Sequence, residues 1–285
     1  MLKKVLVMLF VFTSCNICFA SGRNLVEKDF KVYYIACLDA YGNYDVNLLC
    51  AVNKNTGEVR LVSMLRDLDI NGNKLNAYSK TKIDGMRDII NTTYDVNIYK
   101  YVSISWKDAI KILNEFNPIT VALKENEKTY INAYIHNTCD ITGIDSLNPA
   151  KHYVDVSKQT LQLTGLQLVA YCRLRYGASD YTRTGNQREI IKNLISQIKS
   201  KSIIDLSGLF LKYMHCLKTD IGLMDFKSVV GDMQKFNITA SSSFPDRKLV
   251  TSVNYHLVPI DINKCKNDLH KKLFNNDFYS YEIKR

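Results

Sequence analysis

Three apolar runs rich in β-formers follow one another closely: "KVYYIACLDA" (Lys31–Ala40), "VNLLCAV" (Val46–Val52) and "VRLVSML" (Val59–Leu65). The last two are joined by "NKNTGE", a polar turn with glycine, which predicts a hairpin. Helical spacing then appears in "KIDGMRDIINTTY" and "WKDAIKILNEF". "ITVALK" and "TYINAYI" read as a further strand pair. From about residue 160 the chain reads as mostly helical, with "KLVTSVNYHLVPID" as a strand and "NKCKNDLHKKLF" as a helix near the end. Strands and helices are mixed throughout, with no Pro/Gly/Ser linker and no internal repeat. That pattern predicts one α/β domain. At 285 residues and 46% hydrophobic, the chain can bury a sizeable core. Its net charge of +10 favours anionic partners: nucleic acid, acidic polymers or anionic lipid headgroups.

The N-terminus narrows that choice. "MLKKVLVMLFVFTSCNICFASG" has Lys3 and Lys4, an apolar run from Val5 to about Phe12, and a small-residue end at Ala20. This is the pattern of a secretory signal over residues 1–20. An uncleaved anchor and a lipoprotein modified at Cys15 are the alternatives, and residues 21–30 form a short leader. Each version places residues 31–285 outside the cytoplasm, secreted or held at the outer face of the membrane, which excludes nucleic acid as a partner. The remaining cysteines (Cys37, Cys50, Cys139, Cys172, Cys216, Cys265) have neither zinc-site nor disulfide-framework spacing. Cys37 and Cys50, inside apolar runs, are expected to be buried thiols.

The stretch "YCRLRYGASDYTRTGNQRE" (Tyr171–Glu189) holds Arg173, Arg175, Arg183 and Arg188 around Asp180. "LTGLQLVAYCRLR" reads as a helix capped by Thr164. A second helix starts near Asp180, with a core stripe of Ile190, Ile191, Leu194, Ile195 and Ile198. At about 100° per residue, Asp180, Arg183 and Gln187 fall in that same apolar arc, and Arg188 lies at its edge. Charges projected inward must be paired or must serve a ligand. An internal Arg–Asp network, Asp180 with Arg175 or Arg183, is one answer. A phosphate-rich ligand near the helix start is the other.

A second group follows the hairpin. Arg66 and Asp67, in "SMLRDLDI", sit where a buried strand ends, and Asp45 begins its neighbour. Antiparallel pairing brings Asp45 and Asp67 toward one sheet end. Two carboxylates without partners would repel each other, and a divalent cation such as Mg²⁺ (or Mn²⁺) would relieve that. A simple Arg66–Asp67 surface turn is the alternative.

Together these segments resemble the LytR–CpsA–Psr (LCP) family of cell-wall enzymes over roughly residues 31 to 275. "VSMLRDLDI" resembles its S-I-P-R-D-T segment, "KLNAY" its K-I-N-A-A-Y, and "YCRLRYGASDYTRTGNQREII" its R-x-R…D-x-x-R-x-x-R-Q helix. The chain departs from the family pattern at Asn43-Tyr44, at Asn186, at Asn117-Pro118 and at Asn114. The resemblance implies a mixed central sheet sandwiched between helices, with a tunnel for a polyprenyl chain. It also implies transfer of a glycopolymer from a polyprenyl-pyrophosphate carrier to peptidoglycan, with Mg²⁺. By motif position, Asp45 and Asp67 match metal ligands. Arg66, Lys74, Arg173, Arg175, Arg183 and Gln187 match pyrophosphate-binding positions. Asp180, with Arg66 and Arg183, falls in the catalytic set. A degenerate lipid-binding module and a hydrolase of pyrophosphate lipids are the competing readings.

Overall fold

The computed structural model describes residues 25–78, 81–175 and 180–275; the expected signal segment lies outside them. The hairpin is formed by β2 (Tyr44–Asn53) and β3 (Glu58–Met64), and β1 (Phe30–Leu38) pairs with β2 on its other side. Both pairings are antiparallel, with Phe30 opposite Asn53 and Val52 opposite Val59. Gly57 closes the turn at φ +74, and a Cβ there would lie 2.4 Å from the Lys235 carbonyl, so only glycine fits.

Besides the short hairpin of β4 (Asp69–Ile70) and β5 (Asn73–Lys74), the chain adds β6 (Ile98–Ser105), β9 (Leu217–Thr219) and β10 (Asn237–Phe244), and the central sheet has six strands in the order β10-β3-β2-β1-β6-β9. It is mixed: β6 runs parallel to β1 and β10 parallel to β3, whereas β9 is antiparallel to β6. The strands alternate between two faces. Val32, Tyr34, Ala36, Leu49 and Met64 pack against α1 (Ile83–Tyr94) and α8 (Ile262–Phe274) in a closed core. The opposite face carries Tyr33, Ile35, Cys50, Val52 and Leu61 and is covered by α5 (Asp180–Lys199). A second core joins α2 (Trp106–Leu113), α3 (Glu125–Thr142) and α4 (Gly165–Arg173) beside it. Two further helices, α6 (Ile203–Tyr213) and α7 (Leu223–Asp232), stack through Phe210 and Phe226 at 4.3 Å.

The α/β expectation holds, and three local readings change. "TYINAYI" lies within α3: Ile131, Ile135, Thr138, Cys139 and Thr142 are buried at helical spacing, and Gly143 ends the helix at φ +67. The strand Ile119–Ala122 (β7) pairs instead with Thr160–Leu163 (β8). "KLVTSVNYHLVPID" is two strands, Val250–Val253 (β11) and His256–Pro259 (β12), which turn through Asn254 and Tyr255 at φ 47 and 63. The six cysteines among the described residues are all free thiols.

The stripe on α5 is not a packed core. Ile190 is buried, but Ile191, Leu194, Ile195 and Ile198 are only half-buried, because they line hollows between α5 and the sheet.

Candidate active site

The site starts with an irregularity in the sheet. Cys37 pairs with Val46, yet the next residue, Leu38, pairs with Tyr44, so Asp45 is an extra residue in a bulge. Bulges re-aim side chains. Tyr44 enters the closed core, and Asp45, 5% exposed, meets α5 instead.

Four arginines surround it. Arg183, one turn into α5 and 1% exposed, donates from Nη1 to Asp45 Oδ1 at 2.9 Å and from Nε to Asp180 Oδ1 at 2.8 Å. Its guanidinium is thus held between two carboxylates, the internal network that the helical spacing left open. Arg66, just past β3, donates from Nη1 to Asp45 Oδ1 at 2.7 Å, and its backbone N–H donates to Asp180 Oδ2 at 3.3 Å. Arg175 Nη2 stands 4.0 Å from Asp45 with its side chain 38% exposed. Arg173 sits over the Trp106 ring, its guanidinium carbon 4.2 Å from the ring centre, and donates to Asn137 Oδ1 at 2.7 Å and Thr138 Oγ1 at 2.6 Å.

These contacts set the charges. Burial pushes the Asp45 carboxyl up, but Arg183 and Arg66 outweigh it and hold the carboxyl below its ordinary value. Burial pushes Arg175 down, and the neighbouring charges of Arg183 and Arg66 push the same way. Two guanidinium nitrogens, Arg66 Nε and Arg175 Nη2, are buried without a hydrogen-bond acceptor. Such orphan donors on charged groups are costly unless an acceptor arrives.

Asp67 is compensated, contrary to the expectation of two repelling carboxylates. Its Oδ1 is 3.8 Å from Arg66 Nε and 3.6 Å from Lys74 Nζ. Arg66 therefore lies between Asp45 and Asp67. Among the described residues no group of three or more His, Cys, Asp or Glu side chains could hold a metal ion. For the expected Mg²⁺ the candidate donors are the two carboxylates of Asp45 and Asp67, and the rest of its oxygen shell would have to come from a phosphate and water.

The arginines and Asp45 line a mouth of about 290 Å³ with Asp39, Tyr41, Trp106, Tyr134 and Asn137. Asp45, Trp106 and Arg173 also wall a second hollow of about 250 Å³, otherwise apolar except for Gln187. Ile35, Ile191 and Leu194 are then shared with a third hollow of about 320 Å³, lined by Tyr33, Val52, Leu61 and Phe236 among others. Charged mouth and apolar hollows thus form a row along β1 beneath α5.

Gln187 donates from Nε2 to the Cys172 carbonyl at 3.0 Å, which ties α5 to α4 beside the second hollow. Asn114, one of the departures, accepts from the Gly165 N–H at 2.9 Å and so fixes the start of α4. Arg188, placed at the edge of the arc, is 8% exposed and donates to Ser241 Oγ and Ser243 Oγ, each at 3.0 Å. Sequence reasoning missed Trp106, Tyr134 and Asn137. Tyr134 belongs to the segment read as a strand and Asn137 lies two residues past its end, so their common helical face was hidden. Trp106, the single tryptophan, was the available signal.

Residues 31–270 match the LytR_cpsA_psr family. The polyisoprenyl-teichoic acid–peptidoglycan teichoic acid transferase TagT of Bacillus subtilis (strain 168) is 24% identical over 238 residues, 79% of this chain and 70% of TagT. Among solved structures, protein gbs0355 from Streptococcus agalactiae superposes with a TM-score of 0.68 at 18% identity, covering 91% of this chain and 93% of that one. The LytR-CPS2A-psr family protein YwtF (TagT) with bound octaprenyl pyrophosphate gives 0.59 at 17% identity, covering 90% and 94%.

Proposed function

The chain belongs to the LytR–CpsA–Psr family, and we propose that it is an exported phosphotransferase that moves a glycopolymer from a polyprenyl-pyrophosphate carrier onto peptidoglycan. The observation that carries this reading is the row of hollows: a cationic mouth with unmet guanidinium donors opens beside hollows lined by apolar side chains. That order matches an amphiphile with an anionic head and an isoprenoid tail. The relative TagT, a polyisoprenyl-teichoic acid–peptidoglycan teichoic acid transferase, and the fold neighbour bound to octaprenyl pyrophosphate support the same class of ligand.

In this reading Arg66 and Arg175 take the diphosphate oxygens, since a guanidinium binds phosphate through paired N–H groups and stays charged. Arg183 and Asp180 act one step back: Arg183 holds Asp45, and Asp180 holds both Arg183 and the Arg66 backbone. Arg173, anchored on Trp106, stands where the mouth meets the second hollow, and Lys74 steadies Asp67. A sugar hydroxyl of the wall polymer attacks the sugar-side phosphorus. The bond from that phosphorus to the bridging oxygen breaks, polyprenyl phosphate leaves, and the hydroxyl proton passes to solvent at the open mouth. Charge grows on the departing phosphate, where fixed guanidinium groups stabilise it. Asp45 and Asp67 would hold Mg²⁺ or Mn²⁺ together with phosphate oxygens, and the ion would add further neutralisation there.

Among the described residues no helix is long and apolar enough to cross a membrane. The signal or anchor is assigned to residues 1–20, outside those residues. The test is incubation with a polyprenyl-pyrophosphate oligosaccharide, with and without a muropeptide acceptor. A phosphodiester-linked product that needs the acceptor supports the transferase. Acceptor-independent cleavage indicates a hydrolase, and an unchanged bound lipid indicates a binding module.

A further inference from the structure

The two ends of the central sheet differ in character. The mouth lies where β1 ends, beside the Leu38–Tyr44 pair. At the other end, Phe30 pairs with Asn53, and the Asn237 N–H donates to the Gly57 carbonyl at 2.9 Å. The last residue of α5 also arrives there: Lys199 Nζ donates to the Phe236 carbonyl, and Gln234 Nε2 donates to the Lys199 carbonyl at 2.6 Å. Past it come Lys201, Ile203 and Ile204, the two isoleucines being 51% and 83% exposed.

We propose that this second end, built from Lys28, Lys54, Lys201, Lys235, Ile203 and Ile204, rests on an anionic phospholipid surface, with the mouth pointing away from it. Three observations converge. First, Lys28, Lys54 and Lys235 are exposed and Lys199 and Lys201 half-buried, with Glu27, Asp29, Glu58, Asp205 and Asp232 as the acids on the same segments; Glu27 is bonded to His270 at 2.8 Å and Glu58 to Arg60 at 2.6 Å. Asp232 is engaged by Lys235 at 3.1 Å, and Asp205 accepts from Ser202 Oγ at 2.6 Å to cap α6. Lysines close to an anionic leaflet are attracted to it, and adjacent exposed apolar side chains can enter the headgroup boundary. Second, the described chain begins here, at Leu25, and the residues before it include the apolar run Val5–Phe12. Third, the third hollow reaches this end through Tyr33, Val52, Val59 and Phe236. This last point rests on the proposed function: an isoprenoid longer than the hollows would continue from that end into the bilayer while its head stays at the mouth. The first two points do not depend on it.

Tryptophan quenching tests the orientation without any turnover. Trp106, the single tryptophan, sits at the mouth. Full-length protein is reconstituted in phosphatidylglycerol–phosphatidylcholine vesicles with and without brominated acyl chains. The double variant W106F/I204W should lose roughly half its emission to the brominated lipid, since an interfacial side chain sits at the acyl boundary. The Trp106 emission of the natural chain should be unchanged. Adding K201E and K235E to W106F/I204W should remove most of the quenching, and so should raising the salt severalfold. Quenching of Trp106 as strong as that at position 204, no quenching at position 204, or quenching indifferent to the lysine changes would each overturn the proposal. Ile204 is on the surface, so I204W leaves the fold intact, and a failed transferase assay would not bear on any of these outcomes.

Discussion

Arg183 and Asp45 meet at 2.9 Å with side chains 1% and 5% exposed. They join the middle of the fold: one comes from α5, the other from a bulge at the start of β2. Asp180 takes the far side of the same guanidinium at 2.8 Å. The cluster orders the mouth from beneath, while Arg66 and Arg175 line it and each keep a guanidinium nitrogen without an acceptor.

Arg183→Ala should therefore unfold the protein more readily, not merely weaken ligand binding. It leaves Asp45 and Asp180 without their shared cation, and breaking a buried pair from one side costs about 3–5 kcal/mol. Urea denaturation reads this as a lower midpoint. A variant as stable as the parent would show that solvent or another cation replaces the guanidinium.

Arg175→Ala should do the opposite. Its side chain is 38% exposed and one of its nitrogens has no acceptor, so stability should hold. Affinity for a polyprenyl pyrophosphate should fall about 10- to 100-fold, the equivalent of one lost charge-assisted contact of about 1.5–3 kcal/mol. Calorimetry with the parent and the variant gives the ratio directly.

Acid should weaken the mouth from within. The native carboxyl of Asp45 is held below its ordinary value, so its contribution is fully present above the unfolded pKa, about 3.9. It is lost as pH falls from there through the lowered native value. Stability measured from about pH 5 down to about pH 2 should drop in the parent, and Asp45→Asn should flatten that part of the curve. Equal slopes in both would assign the acid sensitivity to other carboxylates.

Ile191 stands in the wall shared by the second and third hollows. Ile191→Trp should fill that passage and reduce binding of a long polyprenyl pyrophosphate at least about tenfold, while inorganic pyrophosphate binds as before. Equal loss for both ligands would mean the fold, not the passage, had changed.

The metal is tested at Asp67, which is half-buried and pairs with Arg66 and Lys74 at 3.8 and 3.6 Å. Asp67→Asn should remove Mg²⁺ stimulation of turnover and leave lipid affinity within about threefold. Asp45→Asn combined with it should cost little more turnover than the worse single change, since both act through one ion. Full activity of Asp67→Asn in excess chelator would remove the ion from the account.

Much of this was legible in the sequence. The β-rich runs and the "NKNTGE" turn gave β1, β2 and β3 because apolar pattern and turn chemistry agreed there. The helical arc placed Arg183 and Gln187 inward, since a 3.6-residue period survives in one segment alone. Of the partners of Arg183, Asp180 was legible from the helical spacing, but Asp45 was not, because it reaches Arg183 only through a bulge, and no local pattern marks the one-residue shift. "TYINAYI" misled through its β-branched and aromatic residues; burial at Ile131 and Ile135 follows the helix period instead. The β11–β12 turn was hidden because Asn254 and Tyr255 take positive φ with no glycine to signal it. The α5 stripe read as core because spacing cannot distinguish a side chain that packs from one that lines a hollow.

The most direct test of the central claim is a structure of this protein with a polyprenyl pyrophosphate bound. The diphosphate should lie within hydrogen-bond distance of Arg66 and Arg175, and the isoprenoid should run past Trp106, Ile35 and Ile191 beneath α5. A lipid bound with its diphosphate away from these arginines, or with its tail outside the hollows, would contradict it.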